Sequence, residues 1–313
     1  MRDNFDTDRL MTRNGESIII VGPEEIVAII RKDLEKHYKV KVLEEITENY
    51  STTADTILRH WPDAVFCALP SDHPDAMSMY HACELTFCTF YFIIKPNPHS
   101  DRLITCRWCK EPLKRTWAKF IKRSFDIIVS GLFLITIYPF VFLICAICIK
   151  ASGPGPVYFK QLRPGFHGEN FECYKFRSMN VNAQSDSQQA TKGDARVTKF
   201  GSFMRKTSID ELPQFINVFK GDMSIVGPRP QLLNWSDYFA PKIPNFFMRH
   251  LVKPGITGCA QVNGCRGECY IVDDVNNRIN NDIWYIENWT PWLDIRILFM
   301  TAKQVLGGDE QAY

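Results

Sequence analysis

The sequence predicts an α/β protein in two parts: a small N-terminal domain on a parallel sheet, and a mostly helical α+β domain with a re-entrant membrane helix. Strand-like and helix-like segments alternate with short connections over residues 17–110. A run without charged residues follows at 127–149, and it contains Pro139. Residues after 150 carry short polar motifs and Gly-Pro turns but no second long apolar run. The predicted segments are 1–110, 111–124, 125–150 and 151–313.

Residues 1–110 are predicted to form a degenerate Rossmann-like α/β domain. Strands are expected at 17–21, 38–43, 63–69 and 90–95, and helices at 24–36, 53–60 and 76–86. A dinucleotide-binding turn needs several glycines, whereas the first turn here contains only Gly22. Glu24 and Glu25 would also repel a phosphate at the start of the first helix. We therefore expect a regulatory or structural domain without a bound cofactor.

Charge and cysteine content narrow the possible partners. The 37 basic and 35 acidic residues give a net charge of +2, so no overall field attracts nucleic acid. Eleven cysteines are an odd number, no N-terminal signal peptide precedes them, and Cys145 and Cys148 lie in the apolar run. Free thiols in a reducing cytoplasm are the better interpretation. Cys106 and Cys109 form a CxxC that has no second pair at zinc-finger spacing, which argues against a zinc site.

The segment 111–124 is a basic connector that leads into the apolar segment 125–150. At ~1.5 Å per residue, the uncharged run could just cross a bilayer core. Pro139 removes a backbone hydrogen bond in mid-run and is expected to kink the helix. Basic residues flank both ends, which favours the cytoplasmic side for both; they are Lys119, Lys122 and Arg123 before, and Lys150, Lys160 and Arg163 after. A re-entrant helix is favoured, and a spanning helix with a proline kink remains the alternative.

The last apolar stretch, residues 289–306, mixes aromatic and aliphatic residues with Arg296 and Lys303. A helix lying in the membrane interface and a buried core helix both fit this composition.

The adjacent carboxylates Asp210 and Glu211 are the strongest candidates for chemistry. Ser208 and Glu211 have the spacing of a capping box, which would explain the acidic pair by helix capping alone. Arg205 and Lys206 precede the pair, however. Two carboxylates could share a divalent cation that bridges them to a diphosphate, and a carboxylate can also attack phosphorus. One acid that attacks and one that holds Mg²⁺ would divide the work.

Basic residues in rigid settings accompany this pair. Strand alternation over 174–179 places Lys175 and Arg177 on one face. The sequence Gly-Pro-Arg-Pro fixes Arg229 in a stiff turn. Because guanidinium groups match phosphate oxygens and rigid placement lowers the entropic cost of binding, these residues predict a diphosphate cradle.

From about Lys122 to Gly307 the chain resembles the bacterial sugar transferases that act on polyprenyl phosphate, the monotopic phosphoglycosyl transferases. The resemblance depends on motifs in a fixed order: KRSFD at 122–126, GPVYFK at 155–160, QLRPG at 161–165, YKFRSM at 174–179, TSIDELPQ at 207–214, NVFKGDMSIVGPRP at 217–230, KPGITG at 253–258 and QVNG at 261–264. Three positions depart from the family pattern: Tyr138 before Pro139, where serine is usual, and Cys259 and Cys265 in the later motifs.

This resemblance implies transfer of a hexose-1-phosphate from a UDP-sugar to undecaprenyl phosphate, with release of UMP. It implies that Asp210 is the nucleophile of a phospho-aspartyl intermediate and that Glu211, with Asp210, binds Mg²⁺. Contacts to phosphate and sugar are expected from the basic residues in the matching motifs, which are Arg205, Lys175, Arg177 and Arg229. It further implies a catalytic domain on the cytoplasmic side of the bacterial inner membrane.

The pathway expected from the resemblance is exopolysaccharide, capsule or O-antigen synthesis, of which this reaction would be the first membrane step. Pathway glycosyltransferases or a second copy of the chain are possible partners. Two other functions stay open: a glycosyltransferase that releases UDP, and an inactive assembly scaffold.

Overall fold

The computed structural model describes residues 15–37, 39–70, 73–94, 104–107, 112–180, 194, 196–243, 245–265 and 271–307. The chain divides into two compact units, Met1–Lys110 and Glu111–Tyr313.

The N-terminal unit contains a five-stranded sheet in the order β2-β1-β3-β4-β5. Its elements are β1 (Ser17–Val21), α1 (Glu24–His37), β2 (Lys41–Ile46), α2 (Thr53–His60), β3 (Ala64–Cys67), α3 (Pro74–Thr86), β4 (Thr89–Ile94) and β5 (Ile104–Arg107). The first four strands are parallel, as predicted. β5 was not predicted, and it pairs antiparallel with β4, so the sheet is mixed.

Strand β2 begins three residues later than expected and ends at Ile46, because its pairing with β1 sets its bounds. Lys41 lies opposite Ser17 at one end, and Ile46 lies opposite Val21 at the other. Ile18, Ile20 and Phe66 of the sheet pack in one core cluster with Ile30 and Leu34 of α1. These side chains are almost completely buried, and burial of this kind is the main force that holds helix to sheet.

The first turn of this unit contains Gly22, whose φ is +149°. A Cβ added there would lie 2.6 Å from Cβ of Ala68, so a side chain would collide with the loop after β3. The glycine is therefore explained by local packing. Of the CxxC pair, Cys106 belongs to β5, but its side chain and Cys109 lie outside the described residues.

The second unit is mostly helical, with two small sheets. Its elements are α4 (Thr116–Thr136), α5 (Tyr138–Ala151), β6 (Tyr158–Pro164), β7 (Asn170–Phe176), α6 (Lys199–Lys206), α7 (Gln214–Lys220), β8 (Ser224–Val226), α8 (Leu233–Phe239), β9 (Gly255–Thr257), α9 (Cys259–Val262), α10 (Val272–Glu287) and α11 (Pro291–Gly307). β6 and β7 form an antiparallel hairpin, and β8 pairs with β9 in parallel.

Helices α4 and α5 form a pair bent by 56° at Ile137. Within the described residues no single helix is long and apolar enough to cross a membrane, whereas this pair passes the same test of length and composition. The bend lies at the predicted proline: Pro139 has no N–H to donate, so the helical hydrogen-bond ladder is interrupted there. Because α4 already begins at Thr116, most of the predicted connector 111–124 belongs to this helix.

The bent pair has two different faces. On one face, Tyr138, Cys145 and Ile149 pack against Phe176 of β7 and Met204 of α6. The other face leaves large apolar side chains uncovered, namely Ile128, Leu132, Ile135, Phe140, Leu143, Ile144 and Ile147. Exposed apolar surface on this scale is typical of an interaction or membrane-contact site.

Two of the basic residues before the bend are structural, which corrects their interpretation as charged flanks. Lys122 is buried, and its Nζ lies 2.7 Å from Oδ2 of Asp294 and 2.9 Å from the carbonyl oxygen of Val226. Arg123 donates to the carbonyl oxygens of the last turn of α7, those of Val218 at 2.6 Å and Phe219 at 2.7 Å. These side chains attach α4 to the rest of the second unit.

Helix α11 has a buried face, as the core-helix alternative for residues 289–306 requires, and an exposed face. Asp294 and Ile297 are buried in the second unit, and Trp289 just before the helix is also buried. Trp292 and Phe299 are exposed. One face of α11 is therefore a core helix, and the opposite face presents aromatic side chains of the kind found at membrane interfaces.

Candidate active site

Asp210 and Glu211 lie in a short 3-10 turn, Ile209–Glu211, between α6 and α7. Ser208 before the turn has a left-handed backbone with φ 56°, and its side chain makes no capping hydrogen bond. The Glu211 N–H donates instead to the Ser208 carbonyl oxygen at 3.2 Å. The predicted capping box is therefore wrong: the Glu211 carboxylate points to cationic partners, which are stronger than a backbone N–H.

Glu211 is clamped by Lys175 and Arg229. Lys175 Nζ donates to Oε1 at 2.8 Å, and Arg229 binds both carboxylate oxygens, Nη2 to Oε1 at 2.6 Å and Nη1 to Oε2 at 3.0 Å. Although burial opposes ionisation, the charges and hydrogen bonds of these two cations hold the pKa of Glu211 well below its usual range. Glu211 is thus a fixed anion.

Asp210 has the opposite environment. Within the described part of the chain, no side chain donates a hydrogen bond to its carboxylate, although the residue is only 8% exposed. Burial, and then the negative charge of Glu211, raise the pKa of Asp210 to about 6, against the effects of Lys175, Arg205 and Arg229. The two adjacent carboxylates therefore differ: one is occupied by cations and the other is available to an electrophile.

The turn that contains Arg229 is fixed from several sides. Gly255 N–H donates to the Pro228 carbonyl oxygen at 2.9 Å, and a Cβ at Gly255 would lie 2.1 Å from the Gly227 nitrogen, so only glycine permits this approach. Arg249 Nη2 donates to the Arg229 carbonyl oxygen at 2.8 Å. This backbone support keeps the Arg229 side chain directed at Glu211.

Arg249 itself is buried and pairs with Asp282 of α10, Nη2 to Oδ2 at 2.8 Å. Burial lowers the pKa of Arg249 and raises the pKa of Asp282 to about 6. Neither residue was predicted as part of the site. The pair joins positions 33 apart in sequence, and no local pattern indicates such a contact.

Of the other predicted basic residues, Arg205 lies at the site and Arg177 does not. Arg205 Nε donates to Ser178 Oγ at 2.9 Å, and its charge lowers the pKa of Asp210. Arg177 donates to the carbonyl oxygens of Ile149, Gly153 and Pro154, and so binds the end of α5. The predicted alternation fails here because β7 ends at Phe176, one residue before Arg177.

A metal ion at this site would have two protein carboxylates. The described residues contain no cluster of three or more His, Cys, Asp or Glu side chains suited to a metal. Mg²⁺ commonly uses one or two carboxylates and takes its remaining ligands from water and substrate phosphates. Burial and then the negative charge of Glu211 raise the pKa of Asp210, and a bound cation would offset the charge of Glu211. Among the described residues, Oε2 of Glu211 accepts one hydrogen bond, from Arg229 Nη1, so this oxygen could share Mg²⁺ with Asp210 and a diphosphate.

Residues 117–308, more than half of the chain, match the family described as "Bacterial sugar transferase", and the chain belongs to this family. It is 49% identical over 182 residues to a UDP-glucose:undecaprenyl-phosphate glucose-1-phosphate transferase from Klebsiella pneumoniae, covering 58% of this chain and 39% of that protein. A protein of the same description from Caulobacter vibrioides is 38% identical over 256 residues, covering 78% of this chain and 95% of that protein.

The name of a third relative contains a different sugar. The UDP-N-acetylgalactosamine-undecaprenyl-phosphate N-acetylgalactosaminephosphotransferase of Aeromonas hydrophila is 45% identical over 190 residues, which cover 60% of this chain and 44% of that protein. The match thus spans less than half the length of the Klebsiella and Aeromonas proteins but nearly all of the Caulobacter one.

Proposed function

We propose that this chain transfers a hexose-1-phosphate from a UDP-sugar to undecaprenyl phosphate and releases UMP, with Asp210 as the covalent nucleophile. The observation that carries the proposal is the asymmetry of the carboxylate pair. Glu211 is held by Lys175 and Arg229, whereas the Asp210 carboxylate has no donor among the described residues. The relatives with matching names support the substrate classes, a UDP-sugar and undecaprenyl phosphate.

The reaction is a double displacement at one phosphorus. An oxygen of the Asp210 carboxylate forms a bond to the phosphorus that bears the sugar, and the bond from that phosphorus to the bridging oxygen breaks. The electron pair leaves with UMP. A phosphate oxygen of undecaprenyl phosphate then attacks the same phosphorus and the bond to Asp210 breaks, so the carboxylate is regenerated. No net proton transfer is required in either step.

The residues around Asp210 support this chemistry by position and charge. Arg205 lies on the Asp210 side and Arg229 on the Glu211 side, where both can bind phosphate oxygens as negative charge moves. Mg²⁺ held by Glu211 and Asp210 would neutralise diphosphate charge when bound. Because Arg177 caps α5, its proposed role is to fix the end of the membrane helix and not to bind phosphate.

The bent helix pair supports a membrane location for this reaction. We propose that α4 and α5 enter and leave the same leaflet of the bacterial inner membrane, with the catalytic residues on the cytoplasmic side. The uncovered apolar face of the pair, exemplified by Ile135 and Phe140, supplies the contact with lipid. A water-soluble donor and a lipid acceptor would meet at this surface. Synthesis of a surface polysaccharide, association with pathway glycosyltransferases and a homodimer remain predictions.

Product identity tests the proposal. Purified full-length protein in lipid nanodiscs, given undecaprenyl phosphate and UDP-glucose, UDP-galactose or UDP-N-acetylgalactosamine, is expected to release UMP with at least one donor. UDP as the product would establish a glycosyltransferase instead. If the folded protein releases neither UMP nor UDP with any of these donors, the result would support the scaffold alternative.

The pH dependence of UMP release reports the ionisation of Asp210. Only the carboxylate attacks, and its pKa is raised to about 6 in the metal-free protein, so kcat/KM is expected to fall on the acid side, at about pH 6 or lower once Mg²⁺ offsets the charge of Glu211. Lys175→Met removes a charge that lowers this pKa, so the acidic limb should move to higher pH.

Lys160→Met is the matched control for this experiment. Lys160 lies on the neighbouring strand and pairs with Glu172 at 2.9 Å rather than with Glu211. Its removal should leave the limb in place. An acidic limb that stays fixed in Lys175→Met would contradict the assignment of the limb to Asp210.

A further inference from the structure

Arg163, in strand β6, has no carboxylate partner among the described residues. Its Nη1 donates to the Pro230 carbonyl oxygen at 3.2 Å and its Nη2 to Gln161 Oε1 at 2.6 Å, and both acceptors are neutral. Its Nε is buried and has no hydrogen-bond partner in the described part of the chain. Burial lowers the pKa of Arg163 to about 10. Arg163 is half-buried, and a cation removed from water to this extent is costly unless an anion accompanies it.

The position of Arg163 is beside the carboxylate clamp. The residue whose carbonyl it binds, Pro230, follows Arg229 directly, and the charges of Arg229 and Glu211 both act on Arg163. The single negative charge of Glu211 is already shared by Lys175 and Arg229. Arg163 therefore adds a positive charge that no nearby carboxylate of the described structure balances.

A second donor without an acceptor lies next along the chain. Gln231 is 9% exposed, and its Nε2 is buried without a hydrogen-bond partner among the described residues. A buried donor that lacks an acceptor costs about 1–3 kcal/mol, so its retention requires a reason. Gln231 follows Pro230, whose carbonyl oxygen accepts from Arg163, so two donors that lack an acceptor in the described structure meet the same short segment, and an acceptor-rich ligand would satisfy both.

We propose that Arg163 and Gln231 form the subsite for the phosphate that leaves with the nucleotide. This inference rests on the proposed function. With the sugar-bearing phosphorus at Asp210 and Arg205, the second phosphate of the donor extends past Glu211 and Arg229 to Arg163. When the bond between phosphorus and bridging oxygen breaks, the electron pair and the new negative charge move to that oxygen. Arg163 then balances the charge of the departing UMP phosphate.

The test separates nucleotide phosphate from lipid phosphate. For Arg163→Gln in nanodiscs we expect kcat/KM for the UDP-sugar to fall on the order of 10²-fold and the inhibition constant of UMP to rise at least about 10-fold. The KM for undecaprenyl phosphate should stay unchanged. Arg31→Gln, at an exposed arginine of α1, is the control for loss of an arginine.

Gln231→Met is a second variant that leaves the bond from Arg163 to Pro230 in place. It removes a buried donor, so the melting temperature should be unchanged or higher, while the inhibition constant of UMP should rise several-fold. Loss of UMP affinity without loss of stability would exclude a merely structural role.

Three other outcomes would overturn the proposed subsite. If both variants release UMP and bind it as the wild type does, the subsite is overturned while the proposed function stands. A raised KM for undecaprenyl phosphate with unchanged UMP inhibition would assign Arg163 to the lipid phosphate, and so also overturn the proposal. If the wild-type protein releases no UMP, the proposed function fails first, and an unchanged dissociation constant of UMP in Arg163→Gln by calorimetry would overturn the subsite as well.

Discussion

Asp210→Asn is expected to reduce UMP release by a factor on the order of 10⁴ or more, the scale seen when a covalent nucleophile is removed. The amide cannot form the phosphoryl bond, and the neighbouring Glu211 cannot replace it because Lys175 and Arg229 occupy its oxygens. The measurement is UMP formation in nanodiscs. Asp273→Asn, at an exposed carboxylate in the first turn of α10, should retain full activity.

The same substitution should not destabilise the protein. A carboxyl group whose pKa is raised on folding opposes folding when it is ionised, that is, at pH values above about 6. Asn removes this buried charge, so the melting temperature of Asp210→Asn at pH 8 should equal or exceed that of the wild type. An inactive variant of equal or greater stability separates a catalytic role from a structural one. Activity near that of the wild type would mean that another group is the nucleophile.

Lys122→Met is expected to lower the free energy of unfolding by about 3–5 kcal/mol, because it leaves a buried carboxylate without its cation. Asp294 receives Lys122 at 2.7 Å, the Tyr285 hydroxyl at 2.7 Å and Trp289 Nε1 at 3.2 Å. Only the first of these partners carries a charge. The Lys122 Nζ also donates to the Val226 carbonyl oxygen, so one side chain joins α4, β8 and α11.

The double variant Lys122→Met/Asp294→Asn provides the matched control. It removes both charges, so much of the lost stability should return, although the hydrogen bond to Val226 is still missing. Chemical unfolding in detergent measures both variants. A single variant that unfolds like the wild type, or a double variant no more stable than the single, would show that the ion pair does not secure α4.

Patterns confined to one element were the most predictable from the sequence. The parallel strands β1 to β4 follow from short apolar runs between turns, and the bend follows from Pro139 in an uncharged run. β5 was missed, because this strand of four residues, Ile104–Arg107, follows the polar stretch at 97–101 and has little apolar pattern of its own. Its place in the sheet comes from pairing with β4.

The sequence could indicate which residues belong to the candidate site, but not which hydrogen-bond or ion-pair partner each of them has. Asp210, Glu211 and Arg229 were predicted as a group, and Arg229 does contact Glu211, but nothing in the sequence shows that Glu211 takes both Arg229 and Lys175 and Asp210 neither. Arg177 was misplaced because a strand pattern cannot show that β7 ends one residue earlier. Lys122 resembled a membrane flank because its partner, Asp294, lies 172 residues away.

The residues that surround the carboxylate pair were harder still to predict, because their contacts join positions far apart in the sequence. Arg163 was considered for its positive charge near the apolar segment 125–150 and as part of the QLRPG motif, whereas its hydrogen bond to Pro230 spans 67 residues. Arg249 and Asp282 have no sequence signature at all, yet they hold the backbone at Arg229. Long-range ion pairs of this kind become visible only when the fold brings the elements together.

The central claim is that Asp210 carries the sugar phosphate between donor and acceptor, and one measurement tests it most directly. The protein is mixed with a UDP-sugar labelled in the sugar, without undecaprenyl phosphate, then quenched rapidly and analysed by mass spectrometry. We predict a burst of about one UMP per active site and one hexose-phosphate on the fragment that contains Asp210, both absent in Asp210→Asn. A burst of UDP, a label on another residue, or UMP released only after acceptor is added would contradict this account.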